Sequence, residues 1–567
     1  MLLMMKRSYH YKRGAVDTSS EQRHSELSEC RREGVSKSRM QGGIIGVLAL
    51  VPSLLLGLPA ESFAADGQLM ASVVRAGGVA DTVKQVRVMA SGLGLQAFLG
   101  KVMEKNDEIQ VQKFEWQSNE KLVSAARGLY EPTLKASATR EGNHIQNTYQ
   151  QKLSRLYAAD YSELNNLWNS SVEGLTPFGS TYRLGYEMKK VKNNLQDTNN
   201  GEYASFLGVN LSQPLLKGAG HQVTTANIRI ARANADIAYE GYRQATVETV
   251  ARAVQLYWQC YGAQEKLQMR RRSASIAEEM LNLNKSRHEA GKIDYTGVLD
   301  AESGLRLRQA LVAAAEQTEL TAKRNMLSMT GDRSSALNPV SLQVSDVPAL
   351  TPVDADYEKS LGKAYKSYPQ YLSALTTVER EKDRTLYAKN QRLPQLDVKG
   401  SYGYNGLDNT LRSSLEQLRS KDYLSWSLGL ELNIPLFGDI KSRNEADAAR
   451  LRKEQAFRRV EMQRVDLANQ MEIVSGLVGR VYSQVKNYEQ VVVVNAELMS
   501  IEESRFRMGK SDIRMMLQRE EDYLKVRESL LDSRLAYQYA LINLYALEGT
   551  LLDHYGLAQE AKSKAGL

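Results

Sequence analysis

Two long stretches of this chain contain no proline: residues 215–338 and 436–567, spans of 124 and 132 residues. Proline inside a helix removes a hydrogen bond and clashes with the preceding turn, at ~3 kcal/mol. Stretches without it are free to run as very long helices. Only 11 of the 567 residues are proline, against about 5% in average usage. This already argues against a β-rich enzyme or a string of small mixed domains.

The chain also repeats itself. Gly291-Lys292 interrupts one helical pattern and Gly331 ends the next, while Gly509-Lys510 and Gly549 do the same later, with a separation of 40 positions within each glycine pair and an offset of 218 between copies. Upstream, SQPLLKG at 212–218 matches NIPLFG at 433–438, and YEPTL at 130–134 matches RLPQL at 392–396. Each proline of these motifs marks a switch. Pro132 and Pro394 end a helix and open a strand; Pro214 and Pro435 end a strand and precede a helix. The expected organisation is an N-terminal extension and signal segment over 1–64, a first helix–strand–helix repeat over 65–335, a linker over 336–355, a second repeat over 356–555 and a tail over 556–567.

Strand signals sit between the prolyl junctions. From 424 to 434, Leu424, Trp426, Leu428, Leu430, Leu432 and Ile434 alternate with Ser425, Ser427, Gly429, Glu431 and Asn433, which is the period of two of a sheet with one apolar face. Leu207, Val209 and Leu211 repeat the pattern in copy one, and Leu396, Val398, Tyr402 and Tyr404 carry it on the partner strand of copy two. Strands of about ten residues with one apolar face suit a membrane β-barrel. An antiparallel sheet packed on a soluble core gives the same alternation. Copy one has 81 residues between its prolines where copy two has 40, so about four strands per chain are expected, and six if the surplus, including TYRLGYEMKK at 181–190, adds a hairpin.

The helices are expected to run over 223–289 and 442–508, roughly 100 Å each at 1.5 Å per residue. In the second, Leu467, Met471, Val474, Val478, Val481, Val485, Tyr488 and Val492 recur at 4-3-4-3-4-3-4 spacing, the seam of a coiled coil. Shorter helices over 513–547, 99–128 and 356–390 complete the pattern. A long helix is covered along its length only if the helix after its glycine turn stacks end to end with the one ahead of the strands.

An apolar run at 44–58, preceded by Lys37 and Arg39 and followed by Ser62-Phe63-Ala64, has the form of a secretory signal cut before Ala65. That segment holds nine basic and six acidic residues, taking the remainder from +8 to about +5, mild for its length and not the concentrated charge of a nucleic-acid binder. Arg270-Arg271-Arg272 and Lys189-Lys190-Lys192 read as solvated faces. Cys30 lies ahead of the cut, leaving Cys260 alone, most simply a small buried hydrophobe. No catalytic, metal or cofactor site is expected. His144, His221, His288 and His554 are scattered, and Gly509-Lys510-Ser511 lacks the first glycine of a phosphate loop, position 504 being serine. After residue 65 no apolar run reaches transmembrane-helix length, so a mature chain that spans a membrane must do so with strands. Four or six strands cannot close a lumen-bearing barrel, for which about eight is the practical minimum. Such a chain must therefore oligomerise; three copies of four strands would make 12.

Taken together, the paired motifs SQPLLKG and NIPLFG, YEPTL and RLPQL, and the glycine turns HEAGKIDYTGVL at 288–299 and RMGKSDIRMML at 507–517 resemble those of the TolC-type outer-membrane efflux family, from about 95 to 555. The resemblance implies a mainly α protein with a membrane β-barrel, an internally duplicated α-barrel/β-barrel trimeric duct with its helical tunnel in the periplasm. It implies a homotrimer in outer-membrane lipid, acting as the passive exit duct of a tripartite efflux or type I secretion system with a periplasmic adaptor and an inner-membrane transporter. The glycine turns at Gly291 and Gly509 would form the periplasmic tip, where the inner helices coil shut and the adaptor docks. Asp294, Asp300 and Asp512 stand where tip acids could lie, and Arg514, Glu520 and Glu521 could supply gate contacts. Met515 and Gln518 occupy positions where the family often places paired aspartates, which weakens the expectation of an acidic ring. The competing reading is an exported coiled-coil structural protein or adhesin without a pore.

Overall fold

A computed structural model describes residues 92–155, 157–195, 201–331, 342–436 and 438–558. The expected signal segment, residues 336–341 of the linker and the tail beyond 558 lie outside the described residues.

Both long helices form. α3 (Ala226–Glu289) has 64 residues and α8 (Ile440–Arg507) has 68, each about 100 Å. α3 turns at Gly291 into α4 (Tyr295–Ser328), and α8 turns at Gly509 into α9 (Ile513–Glu548). The heptad seam is real. Leu467, Met471, Val478, Val481 and Val485 are buried against Tyr537, Ala540, Leu541 and Leu544 of α9.

The helices ahead of the strands are broken where single helices were expected. α1 (Leu95–Lys105) and α2 (Asp107–Arg127) meet at Asn106, and α5 (Tyr357–Ser367) and α6 (Pro369–Gln391) meet at Tyr368. The Asn106 Oδ1 accepts from the N–H of Glu108 and of Ile109, capping α2, while its Nδ2 donates to the Met329 carbonyl at 3.0 Å. In copy two the break falls at Pro369, the first residue of α6, where a missing N–H does no harm. These breaks seat the end-to-end joints. Gly331 ends α4 at φ +61°, and a Cβ there would stand 2.4 Å from the Lys105 carbonyl; Gly549 ends α9 at φ +73°, 2.6 Å from the Ser367 carbonyl. Thus α4 with α2 flanks α3, and α9 with α5 and α6 flanks α8.

Six strands form one antiparallel sheet where the minimum expectation was four: β1 (Thr133–Gln146), β2 (Asp160–Leu175), β3 (Thr181–Asn193), β4 (Glu202–Pro214), β5 (Gln395–Asp408) and β6 (Leu424–Asn433), in the order 1-2-3-4-5-6. The surplus of copy one is therefore the added hairpin. Two prolines stand just before β1 and β5, one ends β4, and Pro435 follows β6. Around them the two copies are laced together. The Leu215 N–H donates to the Leu396 carbonyl at 2.8 Å, and Asn390 reaches both the Gly218 N–H and the Leu216 carbonyl.

Register puts Leu430 opposite Val398 and Trp426 opposite Tyr402 on one face, with Glu431 opposite Asp397 on the other. The apolar face is bare: Trp426 is 71% exposed and Leu430 74%. The polar face is concave, since Thr133, Glu173, Arg183, Asn210, Lys399 and Ser427, one from each strand, line a single trough. A short amphipathic helix α7 (Leu411–Ser420) lies across the end of the apolar face far from the long helices, Leu411 and Leu415 sharing a cleft with Trp168 and Met188. Gly406 allows this approach, a Cβ there being 2.1 Å from the Ser414 carbonyl. Among the described residues no helix is long and apolar enough to cross a membrane.

The joint at Gly549 is testable. Gly549→Ala places an L side chain at positive φ, about 1–2 kcal/mol, besides the overlap with Ser367. It should lower the thermal midpoint of the purified protein. Gly100→Ala, inside α1 with open space around it, should raise the midpoint through ~0.5–1 kcal/mol of helix propensity. Equal midpoints for the two variants would remove the joint from the account.

Candidate functional site

The two glycine turns are built alike. At the end of α3 the Gly291 N–H donates to the His288 carbonyl at 2.8 Å and the Lys292 N–H to Arg287 at 2.9 Å; at the end of α8 the Gly509 N–H donates to Phe506 at 3.0 Å and the Lys510 N–H to Arg505 at 2.8 Å. These bonds satisfy the last carbonyls of each helix and require a left-handed residue after it. Gly291 lies at φ +68° and Gly509 at φ +73°, each with nothing within 4 Å of an added Cβ, so glycine is needed there for its backbone alone.

The next helices start at the two expected aspartates. Asp512 caps α9, accepting from the Met515 N–H at 2.8 Å. Asp294 occupies the same position before α4 but makes no side-chain cap bond. His288, on the first turn, contacts the Ile293 carbonyl through Nδ1 at 3.0 Å and packs its ring 5.6 Å from Tyr295.

The hairpins then lock to one another. Ala277, Met280, Leu281, Val298, Ala301 and Leu305 of the first pack on Phe506, Ile513 and Met516 of the second. Arg287 donates to the Phe506 and Arg507 carbonyls at 2.6 and 3.1 Å, its guanidinium 4.7 Å above the Phe506 ring. It thus sets a positive charge at the negative end of the α8 dipole. Beyond it, Arg514 forms a two-pronged pair with Asp300, Nε to Oδ2 at 2.8 Å and Nη2 to Oδ1 at 3.2 Å. Asp300 pushes the Arg514 guanidinium pKa further above its ordinary value, through that hydrogen bond first and its charge second. The pair is solvated, Arg514 being 76% and Asp300 33% exposed in their side chains.

Glu520 lies apart from this solvated surface. It is 3% exposed and grips Arg308, itself 6% exposed, with Nη2 to Oε2 at 2.6 Å and Nε to the same oxygen at 3.0 Å. Arg308 also donates to Ser273 Oγ and to the Gly304 and Leu517 carbonyls, so every arm of the guanidinium is satisfied. Glu521 reaches Arg270 at a loose 3.7 Å, while Arg270 pairs more closely with Glu528 at 2.8 Å. Of the residues expected at the tip, the structure joins Asp300 to Arg514, turns Glu520 into a buried brace and leaves Glu521 at a weak contact. Arg287 and Arg308 carry most of the bonding between hairpins and were not singled out from the sequence. Their partners lie more than 200 positions away, beyond any local spacing rule. Cys260 is buried, its thiol pushed up to about 11 by burial.

A family model described as "Outer membrane efflux protein" matches residues 177–332 and 361–550, well over half of the chain. "Outer membrane protein TolC" of Vibrio cholerae is 23% identical over 348 residues, 61% of this chain and 77% of that protein. "Alkaline protease secretion protein AprF" of Pseudomonas aeruginosa is 24% identical over 306 residues, 54% of this chain and 59% of that protein. Among solved structures, the Campylobacter jejuni CmeC outer membrane channel superposes with a TM-score of 0.60 at 13% identity, covering 90% of this chain and 98% of that one. VceC of Vibrio cholerae gives 0.57 at 13%, covering 81% and 96%.

Removing one partner of a buried ion pair leaves the other charge uncompensated, at about 3–5 kcal/mol. Glu520→Gln should therefore lower the denaturation midpoint sharply, whereas Asp300→Ala, at a solvated pair worth under about 1 kcal/mol, should barely move it. The reverse order in chemical denaturation would contradict the assignment of brace and surface pair.

Proposed function

The chain belongs to the outer membrane efflux protein family, and on that premise we propose that it is the outer-membrane exit duct of a tripartite efflux or type I secretion system. Its sheet sits in the outer membrane and its helices in the periplasm. Transport through it is passive, driven by an inner-membrane transporter through a periplasmic adaptor. The observation that carries the reading is the six-stranded sheet with one bare apolar face, one concave polar face and two edges that no other strand pairs among the described residues. In lipid those edges leave N–H and C=O groups unpaired, at several kcal/mol each, and further copies of the chain are the natural means of pairing them. Exposed Leu451, Met462, Val465, Ile473 and Val493 along α8 support a homotrimer by offering a helical surface for a neighbour.

In the same reading, repeats over 65–335 and 356–555 each supply one hairpin to the tip. The turns at Gly291 and Gly509 meet the adaptor, and Asp300–Arg514, with Asp512 capping α9, holds the tip closed. Asp294, at the first turn, and Glu521 offer further charge for docking. A pore-free coiled-coil scaffold would account for the heptads but not for lipid-length strands with a bare apolar face.

Fractionation tests the placement: the protein should remain with the outer membrane after mild detergent and run on gels as a trimer that heating dissociates. A soluble monomer would overturn the reading. The tip is tested by leak. Cells making Arg514→Ala or Asp512→Ala should become sensitive to a large glycopeptide antibiotic that the outer membrane excludes. Unchanged resistance in both, at parental protein levels, would take these residues out of the gate.

A further inference from the structure

The hairpin β2–β3 of copy one has no counterpart in copy two, where β5 and β6 pair directly through the α7 connection. Its place in the sheet is unambiguous. It lies between β1 and β4, paired to each along 14 and 11 residues. It also follows the alternation of its neighbours. Trp168 and Val172 stand opposite Met188 and Leu184 on the apolar face, and Glu173 and Asn169 opposite Arg183 and Glu187 on the concave face. On that face Arg183 bridges Glu173 at 3.3 Å and Glu187 at 3.2 Å, and Glu173 holds Lys135 of β1 at 2.6 Å. The turn at the helical end is pinned as well. The Gly220 N–H donates to the Phe178 carbonyl at 3.2 Å, Thr224 Oγ1 donates to the Pro177 carbonyl, and Gly179, at φ +95°, leaves no room for a Cβ against the Gly218 carbonyl. A segment folded into the lumen as a plug, or out over the surface as a loop, would not keep this alternation.

The stagger of the sheet has the value a barrel needs. Following register partners from Thr133, at the helical end of β1, leads through Glu173, Arg183, Asn210 and Ser401 to Ser427, six residues short of the same end of β6 at Asn433. Six residues rise about 20 Å while five strand spacings cover about 24 Å, a tilt of about 40°, within the 35–45° of closed barrels. With six strands the direction of β6 is opposite to that of β1, so the two free edges of successive copies can meet antiparallel. Thr133 and Asn433 then share the concave face.

We propose that three copies close an 18-stranded barrel, β6 of each pairing with β1 of the next, in place of the 12-stranded barrel that two hairpins per chain would build. At the same tilt the backbone diameter is about 36 Å rather than about 24 Å. The membrane mouth is then too wide to select what passes, and selection by size falls to the helical tunnel and its tip. This inference rests on the outer-membrane duct reading and adds the hairpin to its wall.

Cysteine pairs in the full-length protein, in native outer membranes, test it, Cys260 being buried. Thr133→Cys with Asn433→Cys should oxidise to covalent trimers. Thr133→Cys with Ser212→Cys should not cross-link, because β2 and β3 separate them; in a 12-stranded barrel that excludes the hairpin they would be neighbours. Single cysteines read the wall independently. Asn169→Cys and Glu187→Cys should react with a charged maleimide, while Trp168→Cys and Leu184→Cys react only with a lipid-soluble one. Cross-linking at 133–212, or charged-reagent labelling of all four single cysteines, would overturn the 18-stranded wall while leaving a trimeric duct standing. Absence of both cross-links from a protein that fractionates as a soluble monomer would overturn the duct reading itself.

Discussion

Backbone hydrogen bonding at the edges of the sheet is the constraint on which the rest depends. A strand at the edge of a soluble sheet can give its free N–H and C=O groups to water; one in hydrocarbon cannot. β1 and β6 are the two edges here, and neither is covered by another element of the chain among the described residues. A single copy is therefore an incomplete object in a membrane. The exposed Trp426, Leu428 and Leu430 on one face and the Lys399–Glu431 pair on the other fix which side of the completed wall meets lipid and which meets water.

Punctuation residues connect that wall to the helices. Four prolines stand at or beside the strand ends, where the fixed φ and missing N–H do no damage to a ladder. Glycines at positive φ end helices α3, α4, α8 and α9. Between these points nothing interrupts the helices, so their length is set by where the breaks are. The duplication extends to the packing, Gly331 against Lys105 and Gly549 against Ser367, although the sequences of the two copies have diverged widely.

Much of this was legible in order along the chain. The glycine turns, the prolyl junctions, the heptad of α8 and the alternation of β6 all rest on local backbone preference or short periodicity, and the structure reproduces each of them. The breaks at Asn106 and Tyr368 were not legible. A cap and a first-turn proline interrupt a helix only when another element, here the glycine end of α4 or α9, occupies the gap. The β2–β3 hairpin was an open alternative, because Asn166, Ser170 and Gly174 stand on the apolar face of β2 among Leu164, Trp168 and Val172 and dilute the alternation that β6 shows cleanly. At the tip, Asp300 and Arg514 could each be named but not paired. Arg308 and Glu520 became a buried brace only because α4, α9 and α3 converge on them. Tertiary partners far apart in sequence leave no periodic trace.

In the proposed duct these features come together as one water path, from the concave face of the strands down between the helices to the glycine turns. Single-channel recording on the purified wild-type protein in planar lipid bilayers measures that path directly. Small, discrete and long-lived current steps from a trimer held nearly shut at its tip are the expected result. A protein that inserts as a stable trimer yet never conducts, even when the tip is loosened, would contradict it.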